Sequence, residues 1–125
     1  MSENTWIDIT TDNATELANF YQRVMGWTCD AVNMGDYSDF VMLNSEGEPV
    51  GGICHRKGPN KDLPSGWIPY FVVSDLDYAL IEVSQCGGMQ HSEIRYHGKA
   101  AFVIIKDVSG SFCALYDKAY VDEED

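Results

Sequence analysis

Few side chains in this sequence can move a proton, attack a carbon or hold a metal, and they are scattered. Asp8 stands between Trp6 and Thr10 in WIDITT, where its carboxylate could anchor a ligand or accept a bond from a neighbouring N–H or hydroxyl. Cys54 closes the run VGGIC, yet no histidine is placed by the sequence to activate it, and a small buried hydrophobe is the ordinary role of such a thiol. His91, Glu93 and His97 lie close together. His91 and Glu93 would share a strand face, as a surface metal site or acid–base pair, with a solvated strand edge as the plainer reading. His55, Arg56 and Lys57 open a basic segment. There is no Ser, His and Asp grouping and no phosphate-binding or nucleotide fingerprint, because Gly51-Gly52 and Gly87-Gly88 are too short and wrongly placed. Cys29, Cys54, Cys86 and Cys113 form no C-x-x-C and read as buried reduced thiols.

The elements that must position these groups follow from periodicity. In residues 6–11 the aliphatic side chains alternate, so a strand buries Ile7 and Ile9 and shows Trp6, Asp8 and Thr10 on its other face. Asn13 with Glu16 forms a capping box, and Leu17, Phe20, Tyr21 and Val24 make one apolar stripe before Gly26 ends the helix. Strands are expected over 27–32, 37–43 and 50–55, separated by the turns NMGD and NSEGEP. The polar stretch HRKGPNKDLPSG then divides the chain nearly in half. A strand over 68–73 follows, and Asp75 caps a helix with the stripe Leu76, Ala79, Leu80 and Val83, ended by Gly87 and Gly88. Strands over 89–96, 100–106 and 112–116 complete the order βαβββ twice.

The halves share one spacing. Asn13 and Asp75, FVML at Phe40 and FVII at Phe102, and VGGI at Val50 and FCAL at Phe112 are each 62 residues apart. We read an α+β domain built from two tandem βαβββ modules, 5–56 and 67–118, with a polar linker over 57–66 and an acidic tail over 119–125. The 125 residues, 45% of them hydrophobic and 22% charged, suit a single domain with its own core. A net charge of −12, from 8 Lys and Arg against 20 Asp and Glu, repels nucleic acid and anionic lipid and favours neutral or cationic partners. No apolar run is long enough to span a bilayer and the first residues lack the features of a signal peptide, so a cytoplasmic protein with no membrane partner is expected.

The W-x-D-x-x-T strand, the helix ending FYQRVMGW, and the second-half run VSDLDYAL, GG and FVIIKDVSG resemble the vicinal oxygen chelate superfamily. That group includes glyoxalase I, bleomycin resistance proteins and extradiol dioxygenases. The resemblance covers nearly the whole chain, while the turn Asp107, Val108, Ser109, Gly110 departs from the usual D-P-D-G. It implies two modules whose sheets curve together around a cleft, commonly in a homodimer. Metal-dependent members place His or Glu at the start of each module's first strand and within its last. Those positions here are Trp6, Gly52, Ile68 and Ala114, none of which binds a metal. A two-residue shift offers only Asp8 and Cys54, still a poor site.

The same resemblance implies that Trp6, Asp8, Thr10, Val50, Gly52 and Cys54 from the first module, and Ile68, Tyr70, Val72, Phe112, Ala114 and Tyr116 from the second, face the cleft. The ligand-binding set it points to is Trp6, Asp8, Thr10, Gly52, Cys54, Tyr70, Phe112 and Tyr116. Aromatic walls around an acid suit a planar or cationic small molecule, although the same rings could fill the space as core. The expected function is metal-independent binding of a small organic molecule, with no cofactor. The alternative is a lyase, isomerase or dioxygenase-type enzyme with unaligned ligands or a metal-free acid–base pair such as Asp8 with Tyr70 or Tyr116.

Overall fold

The computed structural model describes residues 6–121. It divides into two compact units, Trp6–Trp67 and the residues from Ile68 onward. The acidic run 122–125 lies outside the described residues.

In the first unit, strand β1 (Trp6–Thr11) leads to helix α1 (Ala14–Met25) and strands β2 (Thr28–Asn33), β3 (Ser38–Leu43) and β4 (Pro49–His55). The sheet is mixed: β2, β3 and β4 run antiparallel in turn, and β4 pairs parallel with β1. Helix α1 starts where the capping box sets it. The Asn13 side chain accepts the Glu16 N–H at 3.2 Å and donates to the Glu16 carboxylate at 2.8 Å. Gly26 closes the helix in the left-handed conformation, φ 73°, with its N–H bonded to the Gln22 carbonyl. The helix buries Ala14 and Ala18 against Met42 and Ile53, with Leu17 and Tyr21 packed beside them. Phe20 and Val24, expected in the same stripe, are 52% and 60% exposed. The small Ala18 brings the helix down onto the sheet along the line Ala14, Leu17, Ala18 and Tyr21, which rolls Phe20 and Val24 outward.

Strand β5 (Trp67–Val72) begins on the last residue of the first unit and opens the second, where helix α2 (Leu76–Gln85), two short strands β6 (Met89–Gln90) and β7 (Arg95–His97), and strands β8 (Ala100–Lys106) and β9 (Phe112–Asp117) follow. Here β9 pairs parallel with β5 and antiparallel with β8, which also carries β6 and β7. Asp75 caps α2 by accepting the Tyr78 N–H at 3.0 Å. Leu76 is fully buried on Ala101, Val103, Ile105, Cys113 and Leu115, with Ala79, Leu80 and Val83 beside it, as the stripe requires. The single strand expected over 89–96 is broken. His91 and Ser92 both donate to the Ile104 carbonyl, and the Ser92 hydroxyl accepts the Ile104 N–H at 2.9 Å. Ser92 thus takes over a ladder bond with its side chain, which ends β6 before β7 begins.

Pairing also corrects the repeat at one pair of strands. Phe40 lies opposite Ile53, whereas Val103 lies opposite Leu115, so Phe40 corresponds to Val103 and not to Phe102. Phe40 packs beneath α1, while Val103 takes the equivalent place beneath α2. The extra residue is Val50, skipped between the pairs Met42 with Gly51 and Leu43 with Pro49, and it packs with the helix-side cluster rather than on the opposite face.

Candidate functional site

The sheet face opposite α1 carries Trp6, Asp8, Thr10, Gly52 and Cys54. Asp8 lies directly beside Gly52, and Thr10 beside Cys54. The Trp6 indole Nε1 donates to Asp8 Oδ1 at 2.9 Å. That oxygen sits over Gly52, where a Cβ would come within 2.5 Å of it. Asp8 is therefore held from one side by an indole and seated on the other by a missing side chain.

Asp39 on β3 joins this group, and the sequence reading did not single it out. It is 6% exposed and accepts the His55 backbone N–H at 2.8 Å. His55 Nδ1 is 2.9 Å from the Ser38 carbonyl oxygen, which can only accept, so that nitrogen carries the proton. An acid inside the otherwise apolar strand SDFVML is the signal that could have found it. Burial, then the charges of Asp8 and Asp39 and a hydrogen bond to Asp39, push the Cys54 thiol far above its ordinary value. A thiol so held does not supply a thiolate at neutral pH, so Cys54 is a packed hydrophobe and weak donor here.

The basic segment after β4 is not a free cationic patch. The Arg56 guanidinium donates to the carbonyls of Leu63 and Thr10, to Ser65 Oγ and to Asp12. One planar group thereby ties the loop over 57–66 back to the end of β1.

In the second unit the face opposite α2 carries Tyr70, Phe112, Ala114 and Tyr116. Tyr70 lies beside Ala114, and Tyr116 lies beside Phe102 on the next strand. The Tyr70 and Phe102 rings are 5.5 Å apart although β9 runs between their strands. They lean toward each other over Ala114, which has only a methyl group to put between them. Phe102 stacks on Tyr116 at 6.4 Å, completing a layer of three rings. Phe102 was missed because the face assignment covered only the first and last strands of each module, and Phe102 stands on β8, between them. Phe112 lies apart from that layer, with the His91 ring 5.0 Å away and Lys106 Nζ 5.9 Å above its face.

At the positions where the resemblance implies metal ligands, the chemistry does not fit. Trp6 offers only an N–H, Gly52 nothing, and Ile68 and Ala114 are apolar side chains buried at 3% and 0% exposure. The break after Gln90 removes the strand on which His91 and Glu93 would have shared a face. No group of three metal-ligating side chains occurs among the described residues.

No family model matches the sequence. The candidate glyoxylase CFP32 of Mycobacterium bovis is 24% identical over 117 residues, 91% of this chain and 43% of that protein. The same figures hold for CFP32 of Mycobacterium tuberculosis, so this chain spans under half the length of these relatives. A glyoxalase/bleomycin resistance protein/dioxygenase superfamily member from Vibrio splendidus shares the fold with TM-score 0.63 and 10% identity over 91% of this chain and 97% of that one. Methylmalonyl-CoA epimerase from M. tuberculosis does so with TM-score 0.60 and 14% identity over 93% and 88%. The paired βαβββ architecture and these matches along nearly the whole chain show the fold of the glyoxalase/bleomycin resistance protein/dioxygenase proteins, with a likeness in sequence to CFP32.

Proposed function

We propose that this protein binds small, planar organic molecules without a metal ion, and that each module contributes a ligand face of its own: Trp6, Asp8, Thr10, Gly52 and Cys54 in the first, Tyr70, Phe112 and Tyr116 in the second. The observation that carries the reading is the residue set at the superfamily's ligand positions. Trp6, Gly52, Ile68 and Ala114 have no donor atom for a cation, while the layer of Tyr70, Phe102 and Tyr116 offers ring faces for stacking. The carboxylate of Asp8 supplies the one charged group in the predicted set, favouring a ligand with a donor or a positive charge. As the resemblance implies, the protein acts as a homodimer.

The test is an amide NMR titration of the chain in EDTA with 1-naphthol and N-methylquinolinium as neutral and cationic planar probes. Shifts should centre on β1, β5 and β9, and Tyr116→Ala should weaken them. Shifts that appear only after a divalent ion is added would overturn the reading.

A second reading is supported by the Trp6 hydrogen bond to Asp8 Oδ1, which fixes the carboxylate as a general base must be fixed. On this reading the chain is a metal-free lyase or isomerase with Asp8 as its base, and a methylmalonyl-CoA epimerase among the fold's neighbours makes epimerisation of an acyl-CoA the reaction to assay. Turnover of such a substrate, lost in Asp8→Asn, would favour it.

A further inference from the structure

A groove of about 560 Å³ runs between α2 and the sheet of the second unit, on the side away from Tyr70 and Tyr116. Ile105 and Leu115 form its floor, and Ala79 and Val83 line its helix wall. The repeat explains why it is open. With the helix caps Asn13 and Asp75 matched, Leu17, Phe20, Tyr21 and Val24 of α1 correspond to Ala79, Glu82, Val83 and Cys86 of α2. In the first unit Leu17 and Tyr21 fill the space over the sheet, with the Tyr21 ring 5.9 Å from Trp27 and 5.2 Å from Trp67. In the second, a methyl and an isopropyl group take those places, and an acid stands where Phe20 stood.

We propose that this groove is a binding site for a small apolar cation of the aryl quaternary ammonium type. Its volume is that of a small-molecule site and its floor is apolar. Its lining includes Asp75, Glu82 and Tyr78, the last 60% exposed, so two acids and an aromatic side chain stand beside the apolar floor. Asp75 already accepts the Tyr78 N–H, so it contributes charge, while Glu82 lies one helical turn beyond Tyr78 on the same helix. The chain's net charge of −12 attracts a cation to every part of this surface, and the groove adds the apolar contact that makes one place specific. The site is on the other side of the sheet from the proposed ligand face and does not depend on it.

The probe is benzyltrimethylammonium, titrated into the full chain and followed by amide NMR. Shifts should cluster on 73–86, 105 and 115, and alkylation of the exposed Cys86 should slow when the probe is bound. Glu82→Gln should weaken binding by roughly two- to fivefold, the size of an exposed charge contact. Ala79→Leu, which restores the α1 residue, should abolish it, with far-UV dichroism confirming that the variant is folded. Asp8→Asn should leave it unchanged. Binding that persists in both Glu82→Gln and Ala79→Leu, binding lost in Asp8→Asn, or no shift on α2 overturns the proposal.

Discussion

Asp8 has its seat because Gly52 has no Cβ, and the neighbouring Gly51 is constrained more tightly still. A Cβ at Gly52 meets a carboxylate oxygen that can swing aside, whereas one at Gly51 meets the backbone carbonyl of Ile7. Gly52→Ala should therefore cost about 1–2 kcal/mol and break the Trp6 to Asp8 bond, and Gly51→Ala should cost more, toward 3 kcal/mol. Urea unfolding ranks the two, and the indole N–H resonance of Trp6 reports the lost bond. Cys54 gives a prediction in pH. Its thiol is held above the ordinary value of 9.0, so the folded protein keeps a proton that the unfolded chain releases. That contribution to stability is complete below the ordinary value and is lost as pH rises above it. The wild-type protein should lose stability more steeply than Cys54→Ala in alkaline urea titrations. Equal slopes, or rapid alkylation of Cys54 at neutral pH, would contradict the buried-thiol assignment.

At the scale of elements, both helix caps and the alternation of β1 were legible because each is a local signal. Asn13 and Asp75 bond to the third residue beyond them, and Ile9 faces the helix while Asp8 does not. Registers between strands were less legible, because one bulged residue moves every later side chain to the other face. Val50 shows this on a small scale: expected on the face of Gly52 and Cys54, it packs with the helix-side cluster instead. The helix stripe was legible only in part: four apolar residues fit one face of α1, but the close approach of Ala18 decided which of them the sheet would cover. The loop over 57–66 looked like a linker because composition does not show that Arg56 pins it. Arg56→Lys keeps the charge but loses the planar fork that serves two carbonyls and Ser65 together. It should lower stability by about 1–3 kcal/mol and raise amide hydrogen exchange over 57–66, whereas exchange unchanged in that loop would show that Arg56 does not hold it.

At the scale of the whole molecule, the repeat and the fold were readable from landmarks spread over nearly the full chain, and strand alternation told which of the proposed site residues share a sheet face. Ring orientation across β9 arises from side chains distant in sequence, so no local pattern announced it; the hold of Trp6 on Asp8 joins near neighbours but depends on side-chain direction, and the acid in SDFVML marked Asp39 without telling which residue it would bond. The central proposal remains a chemical one: the positions where the resemblance implies metal ligands carry Trp6, Gly52, Ile68 and Ala114, whose side chains give a divalent ion nothing to bind. Equilibrium dialysis of the purified chain against Ni, Zn, Fe and Mn, followed by elemental analysis, tests it most directly. The account predicts far less than one ion per chain for every metal, and one tightly held ion per chain would contradict it.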